Sequence, residues 1–277
     1  MVTSARGFQN KSVLVTGGGR GIGKRLAIGF ARLGARLALV ARSKAELDLA
    51  HFEIEQNGGN ALRIRGDVAD PEQMAVAVDR VRVAYGGVPE VLICAAGVAG
   101  PLQSFLQSSV KQWAEALTIN LLGTVNSVRA VLPGMVERRR GKIIVLVCDA
   151  GEAPKLHLSS YSTAKTAVAR FVESIAPEVL DHNVQINCFD PGLAYTSLTD
   201  EIIRAAGRVE PNLVAQAIET RRTGGTPPEE QMKMAEFLAS ENSNHITGRL
   251  IHIDDDWKKL KNTTMRPDAF TLRRVAK

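Results

Sequence analysis

No apolar run in this 277-residue chain approaches the roughly 20 residues that span a bilayer, and Met1–Lys11 lacks the apolar centre of a secretion signal. Both absences point to a soluble, cytoplasmic protein with no membrane partner. Cysteine is scarce: Cys94, Cys148 and Cys188 are odd in number and none stands in C-x-x-C spacing. That argues against a disulfide framework and a zinc site, so no metal is expected. No Pro/Ser-rich linker or composition break divides the chain, and with 45% hydrophobic and 23% charged residues it reads as one large α/β domain. A charge surplus is missing from the body: the net +6 resides in 257–277, where Lys258, Lys259, Lys261, Arg266, Arg273, Arg274 and Lys277 oppose Asp268 alone. Residues 1–256 therefore read as the domain and 257–277 as a basic tail, with no nucleic-acid partner expected.

What is present is β/α alternation. Ser12–Thr16 is a β-branched strand that stops at Gly17-Gly18-Gly19-Arg20-Gly21-Ile22-Gly23 and gives way to an Ala/Leu helix closed by Gly34. Leu37–Val40 is the second strand, and Ser43-Lys44-Ala45-Glu46 reads as a capping box opening a helix to about Asn57. Ala61–Arg65 is the third, followed by Asp70-Pro71 as N-cap and first residue of a helix to about Tyr85. Val91–Ala95, Lys142–Val147, Val184–Phe189 and Leu250–Ile253 complete the set. Between them lie a long helical stretch over 110–137, a helix over 161–180, an irregular segment 193–226 with two short helical patterns, and a helix over 227–239. Near-continuous apolar strands in strict alternation predict an α/β fold: a doubly wound parallel seven-stranded sheet with helices on both faces, in a single domain. Ligands then bind at the carboxyl ends of the strands, where the strand order reverses.

The segment Thr16–Gly23 sits where a phosphate-binding turn must sit, after a strand and opening a helix. Glycines let the backbone approach a pyrophosphate, and free N–H groups at the helix start bind the anion. Gly17, Gly19, Arg20, Gly21, Ile22 and Gly23 are therefore cofactor-binding candidates; the pattern is T-G-x-x-x-G-I-G rather than G-x-G-x-x-G. The end of the second strand, Val40-Ala41-Arg42-Ser43, lacks the carboxylate that would hold a ribose 2′-OH. Arg20 and Arg42, beside Ser43, would pair instead with a 2′-phosphate, which favours NADP(H) and leaves NAD(H) open. Tyr161 and Lys165 stand one helical turn apart on one face. A nearby ammonium favours the phenolate, so the pair can pass a proton to and from a carbonyl–alcohol couple.

With these motifs, Asn120 and Pro191-Gly192 falling in order, residues 8–254 resemble the short-chain dehydrogenase/reductase (SDR) family. The resemblance implies a Rossmann-like NAD(P)-dependent oxidoreductase that forms a homodimer or homotetramer through the helices at 110–137 and 161–180. It implies that Tyr161 is the general acid/base, that Lys165 lowers its pKa and holds the nicotinamide ribose, and that Asn120 holds a water near the lysine. From the residue alone, Asn120 also reads as a polar kink in a long helix. Asp67, followed by Val68, would meet the adenine edge; Ala95 and Gly97 would let the cofactor approach; Thr196, after Pro191-Gly192, would bond the carboxamide. The substrate would be capped by 193–226 and bordered by Val98, Ala150, Gly151, Glu152 and Leu156.

Three departures from the family pattern carry expectations. Cys148 stands where the family has a serine, which makes this thiol the candidate, though weaker, donor to the substrate oxygen; an inert core thiol is the alternative reading. Cys94 replaces an asparagine, and if the fourth and fifth strands are neighbours it lies close to Cys148, so that oxidation would inactivate. Asp254-Asp255-Asp256 replaces glycines after the last strand, and the tail beyond it is expected to cross a subunit interface near an active site. The resulting reading is hydride transfer between NADP(H) and a small carbonyl or alcohol substrate. Its rivals are reduction of a 3-oxoacyl group on an acidic carrier protein docked at Arg138-Arg139-Arg140 and Lys142, and a cofactor-binding interaction protein with weakened catalysis.

Overall fold

The computed structural model describes residues 7–151, 154–266 and 268–273. The strands β1 (Ser12–Thr16), β2 (Arg36–Ala41), β3 (Ala61–Arg65), β4 (Val91–Cys94), β5 (Gly141–Leu146), β6 (Val184–Asp190) and β7 (Leu250–His252) form one sheet in the order β3-β2-β1-β4-β5-β6-β7. Each neighbouring pair is parallel. The helices are α1 (Gly21–Arg32), α2 (Lys44–Gln56), α3 (Pro71–Tyr85), α4 (Val110–Leu117), α5 (Gly123–Glu137), α6 (Ser159–Val179), α7 (Ser197–Arg204), α8 (Pro211–Thr223), α9 (Pro228–Ala239) and α10 (Trp257–Leu260).

Successive strand residues point to opposite faces, and the core divides accordingly. Val13, Val15, Leu37, Leu39 and Ile93 pack under α1, α2 and α9, while Leu14, Val40, Leu92, Ile143 and Val145 pack under α3, α5 and α6. Each central strand is thus buried on both sides, which explains its unbroken apolar sequence. The strand order reverses between β1 and β4, so the first ligand crevice opens at the carboxyl ends of those two strands. Capping follows the sequence: Asp70 accepts from the N–H groups of Glu72 and Gln73 to start α3, and Ser43 accepts from Glu46 N–H to start α2.

The helical stretch over 110–137 is not one regular helix. A π-helical turn at Thr118–Leu122 separates α4 from α5, and it directs Asn120 inward, where only 1% of its surface is exposed. There Asn120 Nδ2 donates to Ala116 O and Val98 O, both at 2.9 Å, and Oδ1 accepts from Val98 N–H at 3.1 Å. The asparagine therefore ties the widened turn to the loop after β4.

Two charged segments make their contacts within the chain. The described part of the tail folds onto its own chain: Leu250 N–H donates to Phe270 O (2.8 Å), Arg249 to Ala269 O (2.8 Å) and Arg170 to Leu272 O (2.9 Å). Leu272 also packs into the α6-side core. The outer edge of β7 and the flank of α6 offer this segment paired groups and apolar cover within one subunit. Arg274 and Lys277 lie outside the described residues. The arginine cluster fares similarly, standing before β5 at the amino ends of the strands. Arg138 donates to Val88 O and Pro89 O, Arg139 to Asp181 O, and Arg140 pairs with Glu241 at 3.0 Å. These guanidiniums hold loops together at the end of the sheet opposite the ligand crevice.

Lys142 is the sharpest departure. It is 8% exposed, with Nζ 3.0 Å from Ser243 Oγ, and burial pushes its pKa down to about 7. The ordinary value, near 10.4, governs the unfolded chain. The unfolded state therefore holds the proton more tightly, and native stability falls as pH drops from about 10 toward about 7, then levels once both states are protonated. Lys142→Met should stabilise the protein at pH 7 by about 1–3 kcal/mol, since an apolar residue replaces a poorly paired buried charge. The gain should shrink as pH rises toward 10, as urea melts across that range will show.

Candidate active site

A cleft of about 540 Å³ runs along the carboxyl ends of six strands. Its wall is built by the segments following β1 to β6: the glycine turn, Ala41–Ser43, Gly66–Val68, Ala95–Val98, Leu146–Val147 and Pro191. Tyr161 and Lys165 from α6 and Thr196–Leu198 at the start of α7 complete it. Of the expected residues, Gly17, Gly19, Arg20, Gly21, Ile22, Gly23, Arg42, Ser43, Asp67, Val68, Ala95, Gly97, Tyr161, Lys165, Pro191 and Thr196 all line this one cavity.

Gly17 shows why the turn needs glycine. Its φ is +67°, and an added Cβ would stand 2.6 Å from Ala96 N, so the turn is pressed against the loop after β4. Gly192 has a different role from the one expected. It does not line the cleft; its φ of +70° and its contact with Thr226, whose Oγ1 would meet a Cβ at 2.5 Å, make it a structural corner. Asn120 stands buried behind the wall, whereas Cys148 is half-buried beside Tyr161, to which it is hydrogen-bonded.

At the β2 end of the cleft, Arg20 Nη1 lies 3.2 Å from Glu46 Oε1, and Arg42 Nη1 lies 3.9 Å from Asp67 Oδ2. Glu46 was legible in the sequence only as a helix-capping residue. Its carboxylate faces Arg20 and lines the cleft, an arrangement no local spacing announces because 26 residues separate the two. Both guanidiniums remain largely exposed and directed to the cavity's outer end.

At the other end, Lys165 is buried, with Nζ donating to Leu146 O at 2.9 Å and lying 5.6 Å from the centre of the Tyr161 ring. The pair is together as the spacing requires, but its electrostatics run against the expectation that Lys165 pulls the phenol down. Although Tyr161 keeps part of its surface open, desolvation pushes its pKa well above the ordinary value, and Cys148, which is hydrogen-bonded to it, Asp190 and Asp149 push it the same way. Burial also lowers the pKa of Lys165. The resting site thus holds a protonated phenol, the form a general acid requires.

Strand register sets Cys94 and Cys148 apart. β4 and β5 are neighbours, but Cys94 sits opposite Val145, not Cys148. With Cys148 three residues further along, the two Cα atoms are roughly 10 Å apart at about 3.3 Å per residue, too far for a disulfide. Cys188 flanks Val145 on the other side. Burial pushes the Cys94 thiol up to about 12 and raises that of Cys188 as well, so both are inert to oxidants.

The segment 193–226 is an ordered cap. Ala194 bridges Gly225 in antiparallel fashion, with Thr226 N–H donating to Leu193 O (2.7 Å), and α7 and α8 extend beyond this neck. Arg25 Nη2 reaches from α1 to Tyr195 O at 2.8 Å. Among the expected border residues, Val98 lines the cleft, Gly151 accepts from Thr166 Oγ1 in support of α6, and Leu156 is exposed. Glu152 and the side chain of Ala150 lie outside the described set. Ser197, Leu198 and Glu201 join the wall unannounced, because the irregular sequence before α7 gave no periodicity to place them.

The short chain dehydrogenase profile matches residues 11–206, which span β1 to α7, the elements that build the cleft. The chain belongs to the short-chain dehydrogenase family. As an SDR it is similar to oxidoreductase UcpA of Escherichia coli (strain K12), with 32% identity over 255 residues covering 88% of this chain and 93% of that protein. Among solved structures it resembles NAD+-bound xylitol dehydrogenase (TM-score 0.81, 26% identity, covering 89% of this chain and 98% of that one). It resembles equally actinorhodin polyketide ketoreductase with NADPH (TM-score 0.79, 25% identity, 87% and 95%). This SDR is accordingly an NAD(P)-dependent oxidoreductase with a single Rossmann-like domain. No described helix is long and apolar enough to cross a membrane, and the described residues contain no cluster of metal-ligating side chains.

Proposed function

We propose that this SDR reduces a small carbonyl compound with NADPH, using Tyr161 as the general acid. The observation that carries the reading is the joint placement of the glycine turn, both arginines, Tyr161 and Lys165 along one continuous cleft. The residues fit a dinucleotide: Gly17 leaves the backbone bare where a Cβ would collide, and the start of α1 offers N–H groups to a pyrophosphate. Arg20, Arg42 and Ser43 would hold the adenosine end, and Lys165 and Thr196 the nicotinamide end. The cofactor, when bound, supplies the hydride. The chain's own part is acid–base chemistry: Tyr161 keeps its proton until a substrate oxygen develops negative charge, then donates it, and the Lys165 ammonium stabilises the phenolate left behind. Cys148, bonded to the same hydroxyl, orients it.

A small substrate is favoured over a carrier-bound one because the arginine cluster holds loops at the far end of the sheet. Cofactor choice is tested at Arg42. Arg42→Asp removes a cation facing a 2′-phosphate and sets a second carboxylate beside Asp67. NADPH affinity should fall roughly 10- to 100-fold, the loss of about 1.5–3 kcal/mol in a charge-assisted contact, with NADH affinity unchanged or improved. Parallel fluorescence titrations with the two nucleotides measure this. Equal weakening of both would mean that Arg42 does not read the 2′ position.

A further inference from the structure

Lys165 is 7% exposed, and its one resolved hydrogen bond is to a neutral carbonyl. A buried ammonium needs a counter-charge. The residue that answers this need is Asp190, the last of β6, only 1% exposed. Alternation along β6 places Val184, Ile186 and Cys188 in the core beneath α6, and Asp190, two residues beyond Cys188, continues that row toward the cleft. Register agrees. Leu146, whose carbonyl accepts a hydrogen bond from Lys165 Nζ, lies opposite Phe189, and Pro191 on the other side of Asp190 lines the cavity.

One carboxylate oxygen is hydrogen-bonded and the other faces an imidazole. Asp190 Oδ1 accepts from Gly192 N–H at 2.8 Å, and Asp190 Oδ2 faces Nε2 of His252, the residue paired with it across β6 and β7, at 3.7 Å. On its other side the imidazole meets Asp254, with Nδ1 3.1 Å from Asp254 N and 3.3 Å from Asp254 Oδ2. The aspartate-rich turn after β7 thus surrounds the ring that faces the buried carboxylate.

We propose that Asp190, braced by His252, is a positioning residue of this SDR: the fixed counter-charge that keeps the Lys165 ammonium charged beneath the cleft and the Tyr161 proton in place. The groups facing the pair are Tyr161 and Lys165 on α6, Cys148 and Asp149 after β5, Cys94 and Cys188 in the sheet, and His252 and Asp254 at β7. Cys94 and Cys188 are neutral thiols at working pH because burial raises both. Asp190 favours the charged lysine and the protonated tyrosine alike, so removing its charge acts on both in one direction, toward loss of a proton at lower pH.

The inference rests on the NADPH-dependent reading of the cleft, and the test separates the two. Asp190→Asn keeps the shape and an acceptor for Gly192 N–H and removes the charge, and Asp190→Ser removes the charge with a shorter side chain. NADPH dissociation constants are measured by fluorescence from about pH 6 to pH 10 for wild type and both variants, with circular dichroism melts alongside. The expected result is that the alkaline weakening of NADPH binding moves to lower pH by roughly one unit in both variants. A lowered melting temperature with the pH profile unmoved would make Asp190 a structural cap and overturn the proposal. Wild type that binds neither NADPH nor NADH would overturn the cleft reading itself, and this inference with it.

Discussion

Tyr161→Phe should lower carbonyl reduction by about 10²- to 10⁴-fold, the range spanned by loss of one general acid, with NADPH affinity held within about twofold. The substitution is clean because it leaves the ring. The Lys165 ammonium, 5.6 Å from the ring centre, keeps its aromatic neighbour and its bond to Leu146 O, so the cofactor end of the cleft is undisturbed. Only the hydroxyl and its bond to Cys148 are lost. Because the phenol is held well above its ordinary pKa by burial and the carboxylates nearby, wild-type reduction should persist into mildly alkaline solution and fail only where the phenol ionises. Stopped-flow measurement of NADPH oxidation with a panel of ketones and quinones supplies the rate, and a fluorescence titration supplies the affinity. Turnover retained in the phenylalanine variant would remove Tyr161 from the chemistry and leave Cys148 or a water as proton donor.

Gly17→Ala should abolish measurable NADPH binding and destabilise the fold by about 2–6 kcal/mol. Two costs add: a left-handed conformation for a non-glycine residue, about 1–3 kcal/mol, and overpacking, typically another 1–3 kcal/mol. The collision is with backbone, Ala96 N at 2.6 Å and Ala96 Cα at 2.7 Å, which cannot rotate away as a side chain could. The control is Gly58→Ala, where φ is +76° but nothing lies within 4 Å of the added carbon; it should cost only the conformational part, roughly 1 kcal/mol, and leave binding intact. Urea melts and nucleotide titrations on both variants resolve the two effects. Equal losses at the two positions would show that the glycine turn is no more constrained than an ordinary helix end.

The parts of the molecule that were legible in the sequence are those fixed by neighbours along the chain. Asp70-Pro71 announced the start of α3 because capping and the proline φ are local, and β1 and β3 could be bounded to the residue because apolar runs ended at turn chemistry. The glycine turn and the Tyr161/Lys165 spacing are likewise local patterns. What escaped depended on residues far apart. The π turn at Thr118–Leu122 has the same side-chain pattern as a regular helix, and only the tether from Asn120 to Val98 reveals the wider turn. Register between β4 and β5 decides where Cys94 points, and a strand's own sequence does not contain its partner's offset. The upward push on Tyr161 was not legible because its largest cause is burial, followed by Cys148 and by Asp190 from another strand, none of which the local spacing of Tyr161 and Lys165 contains.

The self-docked C-terminal segment also dictates how the protein should be handled. An affinity handle fused after Lys277 continues from a strap that lies on α6, the helix that presents Tyr161 and Lys165, and competes for the contacts made by Arg170, Glu173 and Leu272. Residues 7–11, by contrast, lead into β1 at the amino ends of the strands, on the far side of the sheet from the cleft. A handle at the C-terminus should therefore lower the melting temperature of the protein by loosening the strap from α6.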